Sequence, residues 1–78
     1  MREKIEKRIR GLWDKIYFEL GRFENQYEAL KMHLDEKKLG SAMFSVAFAL
    51  AYLRVISETL DAIGVLEGLL EDEHERKR

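Results

Sequence analysis

The chain has no cysteine and no proline among its 78 residues. Without cysteine there is no disulfide and no thiolate metal site, and the composition suits a reducing cytoplasm. Without proline nothing in the chain forbids long uninterrupted helices. Neither sign of charge prevails: 14 basic and 15 acidic side chains leave a formal net charge of −1. That balance gives no strong generic attraction to nucleic acid. Gly-rich phosphate loops, a Ser/His/Asp set and a Cys/His set are all missing, so no catalytic residue and no metal or other cofactor is expected.

What remains is 37% charged and 46% apolar, the mixture of long helices and coiled coils. Richness in Lys, Glu and Arg is also a feature of thermophilic proteins. The start, Met1-Arg2-Glu3-Lys4, leads into an amphipathic helix and reads as neither a signal nor a transit peptide. The longest apolar stretch, Ala42 to Leu53 with Ser45 inside it, is too short to span a bilayer. A soluble cytoplasmic protein without a membrane segment is therefore expected.

Hydrophobic spacing predicts two helices in a single domain. Helix 1 covers about 2–38, with a stripe of Ile5, Ile9, Leu12, Ile16, Leu20, Phe23, Tyr27, Leu30 and Leu34 at steps of three or four. Gly11 and Gly21 interrupt it, and Gly21 is the place where a break is expected first. The turn is read at 39–41. Lys37 and Lys38 complement the helix dipole, Gly40 closes the helix in a left-handed conformation, and Ser41 caps the next one. Helix 2 covers about 42–71, followed by a charged tail at 72–78. Its stripe is Ala42, Val46, Ala49, Leu53, Ile56, Leu60, Ile63, Leu66 and Leu70. The two stripes mirror each other when facing numbers sum to about 79, which defines an antiparallel hairpin. In that register Gly68 is level with Gly11 near Trp13, read as a close backbone approach or a ligand notch.

One partner helix covers one face, yet helix 2 is apolar around most of its girth between Ala42 and Ile56. Phe44, Phe48, Ala51 and Val55, with Tyr17 and Phe18 of helix 1, are left for a second molecule. A chain this short needs such help, since one small core is marginal. The expected fold class is all-α: a two-helix hairpin dimerising into a four-helix bundle.

The leading functional expectation is a non-enzymatic oligomerisation or protein-interaction module. A second rests on the first ten residues, whose five basic and two acidic side chains carry +3. Arg2, Lys4, Arg8 and Arg10 are the candidate contacts to nucleic acid. A third is a small enzyme with a polar site at Arg54, Glu58 and Asp61, where the plainer reading is an ion pair. His33, flanked by Met32 and Leu34, reads as a boundary histidine, and the Glu71/His74 spacing lies in the tail rather than inside a bundle.

The segment from Asp35 to Leu53, and within it Ala42, Ala49, Ala51 and Tyr52, resembles the hairpin of HEPN-like helical domains and of short archaeal helical proteins. The resemblance covers about a quarter of the chain. It implies a small helical dimer in a regulatory or nucleic-acid-associated setting. HEPN ribonucleases place a His within a few residues of an Arg; no His follows Arg54 at that spacing here, so the resemblance does not extend to ribonuclease activity.

Overall fold

In the computed structural model two helices pack antiparallel, α1 (Arg2–Asp35) and α2 (Leu39–Arg76). The structure describes the backbone of residues 1–76 and the side chains of residues 1–72. The all-α hairpin expected from the spacing is what forms. Helix α1 passes through Gly21 without a break.

The turn falls three residues earlier than Gly40 suggests. Lys37, with φ of 59°, takes the left-handed position that ends α1. The Lys37 N–H donates to the Leu34 carbonyl (3.2 Å) and the Lys38 N–H to that of His33 (2.9 Å). These two bonds are the paired helix-terminating motif usually built on glycine. Lys38 then starts α2 at once, its carbonyl accepting from the Ala42 N–H at 2.9 Å. Gly40 and Ser41 are therefore already inside α2, and Gly40 has no positive φ. The lysines lie just past the end of α1 instead of in its last turn.

The earlier turn changes the register. Arg22 and Tyr52 hydrogen-bond across the hairpin; their numbers sum to 74 rather than to about 79. Buried and half-buried positions then form one inner row per helix. In α1 the row is Ile5, Ile9, Leu12, Ile16, Glu19, Phe23, Gln26, Leu30 and His33. In α2 it is Ala42, Ser45, Ala49, Tyr52, Ile56, Thr59, Ile63, Leu66 and Leu70. Steps alternate three and four without exception, the repeat of an antiparallel coiled coil. Outside the rows only Glu6, Ala29 and Val55 are covered to the same degree among the described residues.

The core is lopsided. Its cluster is Ile9, Leu12, Ile16 and Ile63, with Ile5, Ile56, Leu66 and Leu70 against it; it fills the half remote from the turn and reaches mid-helix at Ile56. Ile63, 2% exposed, is the best-covered of them. The turn-proximal half of the rows holds small and polar groups: Ser45, Ala49, Gln26, and Glu19, which is 8% exposed. Thr59 satisfies its hydroxyl by donating to the Val55 carbonyl at 2.7 Å, a local bond that lets a polar side chain sit inside a helical seam.

Candidate functional site: two faces of the hairpin

In an antiparallel pair, the residues one position after an inner row and those one position before it emerge on opposite faces. The first face carries Trp13, Leu20, Tyr27 and Leu34 of α1 and Val46, Leu53 and Leu60 of α2, all exposed. A depression lined by Leu30, Leu34, Ala42, Met43, Val46, Ala47 and Leu50 runs across both helices here. The second face carries Arg8, Lys15, Arg22 and Ala29 of α1, and Phe48, Val55, Ala62 and Leu69 of α2. Arg22 bridges the helices on this side. Its guanidinium lies 4.7 Å from the centre of the Tyr52 ring and 5.8 Å from that of Phe18.

The six residues assigned from sequence to a dimer surface do not share one face. Phe44, Phe48, Ala51, Val55 and Phe18 belong to the second face; Tyr17 lies beside the first. Phe44 is 70% and Tyr17 69% exposed. Val55 is half-buried against the hairpin itself. The reading of helix periodicity missed Trp13, Leu53 and Leu60 as one continuous exposed row. A strict seven-residue count would have found it.

The basic residues near the start also part company. Arg2 is held by Glu6 at 3.1 Å, and Arg10 falls on the first-face side. Lys4 and Arg8 stay together, lining a shallow depression with Lys7 and Gly11. Arg54, 82% exposed, pairs with Glu58 one turn on at 3.7 Å. Neither lines any of the three depressions described. Arg54 and Glu58 thus form the solvated ion pair that was the plainer of the two readings of this group, the kind of exposed pair that adds little stability.

The glycines are corrected too. A Cβ at Gly11, Gly64 or Gly68 would meet nothing within 4 Å, so none of them serves a close approach inside the hairpin, and Gly68 does not face Gly11.

At the turn, a depression of about 350 Å³ is lined by His33, Leu34, Lys37, Lys38, Leu39 and Ala42. The Nδ1 of His33 is buried there without a hydrogen-bond partner. Beside it, Lys38 donates to Glu36 at 2.8 Å. That bond, and then the opposite charge of each partner, holds the Glu36 carboxyl below its ordinary 4.5 and the Lys38 ammonium above its ordinary 10.5. Among the described residues no three metal-capable side chains gather; the Glu71/His74 spacing includes His74, which lies outside the described side chains.

One further property of α2 bears on both faces. Within Leu39–Asp72 a stretch of eighteen residues is long and apolar enough to cross a membrane by length and composition alone. The unbroken run from Ala42 is shorter, but the stretch extends past single polar residues.

These features define a class: an antiparallel two-helix coiled coil with apolar rows left outside its seam. No family model, curated protein or solved structure matches the chain.

Proposed function

We propose that this chain is a non-enzymatic self-association module, two hairpins joining through their first faces into a four-helix bundle. The carrying observation is the division of residues around the inner rows. Polar members recur every seven residues: Glu19, Gln26 and His33 in α1, and Ser45, Tyr52 and Thr59 in α2. An equally regular apolar row lies one residue further on: Leu20, Tyr27 and Leu34, and Val46, Leu53 and Leu60. The apolar direction of both helices thus points out of the hairpin seam toward the first face. In a four-helix bundle that row becomes core, and the polar members take the rim.

The surface supports the same reading. The chain exposes 6316 Å², whereas a compact monomer of 9.2 kDa exposes about 4,900 Å². The excess exceeds the roughly 800 Å² per partner of a standard interface. Its radius of gyration of 17.9 Å compares with about 11.5 Å for a compact chain of this length. A rod of 62 × 14 × 12 Å has too little interior of its own, and a second copy supplies the rest. The implied role is to join whatever the module is attached to or binds.

Replacing Leu53 by glutamate tests the face. The expected result is loss of the dimer, with Glu58→Lys on the other side leaving it intact. A Leu53→Glu protein that still dimerises with native affinity contradicts the proposal.

The nucleic-acid alternative is carried first by Lys4 and Arg8, which stay together; salt-dependent RNA binding that weakens in a Lys4→Glu, Arg8→Glu protein supports it, and no binding at low salt removes it.

A further inference from the structure

The second face differs from the first in charge. Its α1 edge carries Lys4, Arg8, Lys15 and Arg22 and no acid. Its α2 edge carries only Glu58 and, at the last described turn, Asp72. A chain of net −1 therefore concentrates positive charge on one long side. Arg22 is engaged by Glu19 at 3.8 Å, but Lys4, Arg8 and Lys15 make no ion pair among the described residues. Parallel to this cationic edge runs an apolar one. Phe44, Phe48, Val65 and Leu69 are all exposed, and Phe18 stands out from α1 at 65%.

We propose that the second face docks the hairpin flat on an anionic lipid bilayer, the α2 edge entering the acyl boundary and the α1 cations meeting the headgroups. Three features favour a bilayer over another macromolecule. Apolar and cationic residues run as two parallel strips along the rod, the layout of helices that lie in the membrane interface. Phe18 and Phe44, one position before Glu19 and Ser45 of the inner rows, stand at the two outer margins of the face and are 65% and 70% exposed, so the apolar surface is wider than the groove between α1 and α2. Helix α2 also has the apolarity of a membrane-partitioning segment, while Arg54, Glu58 and Asp61 near its middle suit lying on a bilayer better than crossing it. This inference does not rest on the first-face dimer, which leaves the second faces pointing outward.

The test is flotation of the full chain with vesicles of phosphatidylcholine alone, and with phosphatidylglycerol added at about one lipid in three. Lys4, Arg8 and Lys15 strengthen binding to the mixed vesicles on the order of a hundredfold. Arg8→Glu with Lys15→Glu removes most of that preference. Phe44→Ser with Phe48→Ser, both at exposed positions that do not hold the fold, weakens binding to mixed vesicles while leaving the dimer in sedimentation. Four results overturn the proposal. They are no flotation with mixed vesicles, whether or not the protein binds RNA; equal flotation with both vesicles; resistance to alkaline carbonate, which means α2 has inserted; and dissociation of the dimer by the phenylalanine changes, which makes this face the interface between copies. Failure of the first-face dimer is read separately, from the Leu53→Glu protein in sedimentation without lipid.

Discussion

Arg22 and Tyr52 join the two helices twice: Nη2 donates to the tyrosine Oη at 3.3 Å, and the guanidinium stacks 4.7 Å above the ring. They are the one side-chain hydrogen bond between α1 and α2 among the described residues, and they sit where the inner rows turn from aliphatic to small and polar. A half-exposed hydrogen bond and a cation–π contact contribute about 1 kcal/mol each. Tyr52→Phe is expected to lose up to about 1 kcal/mol and Arg22→Ala somewhat more. A double-mutant cycle in urea reads the coupling; additive losses would show that the contact is idle.

At the turn, Lys37 occupies a left-handed conformation at φ of 59°. A side chain there costs roughly 1–2 kcal/mol, which glycine avoids. Lys37→Gly should raise stability by about 1 kcal/mol, and Lys37→Val should lower it. Thermal unfolding of the two variants gives opposite shifts if the turn is as described, and shifts of the same sign if it is not.

Glu36 and Lys38 make the turn sensitive to pH at both extremes. The carboxyl is depressed in the folded chain, so its contribution is present above 4.5 and is lost as pH falls through the lower folded value. The ammonium is raised, so its contribution is present below 10.5 and is lost as pH rises past the higher folded value. Both groups are solvent-exposed, and the effect is small. NMR titration of the Glu36 carboxyl should give a midpoint below 4.5 that moves upward in Lys38→Met. An unchanged midpoint would remove the pair from the account.

Gly21 stands mid-helix with open space where its Cβ would be. Gly21→Ala should therefore stabilise the hairpin by about 0.5–1 kcal/mol, through helix propensity alone. A destabilised Gly21→Ala protein would mean that something closes on that position in the assembled form.

The hairpin was legible because helical spacing holds along both segments and one turn fits between them. Its register was not, for a physical reason visible at particular residues. Wherever the inner row carried Glu19, Gln26, Ser45 or Thr59, the apolar neighbour one residue on looked the better core residue: Leu20, Tyr27, Val46 and Leu60. Hydrophobic spacing reports the strongest apolar direction, and here that direction points out of the seam. The turn misled in the same way. Gly40 and Ser41 are the residue types that end and start helices, but Lys37 takes the left-handed position before them. Of the six residues expected at a dimer surface, five share one face, and the partly exposed row through Leu53 escapes a reading that assigns it to the hairpin stripe.

The proposed function requires a second copy to cover the apolar row beside the polar one. Sedimentation equilibrium of the unmodified chain at micromolar concentration tests it most directly. The expected result is a species of twice 9.2 kDa that Leu53→Glu reduces to single chains. A native, folded monomer of 9.2 kDa across that range would contradict it.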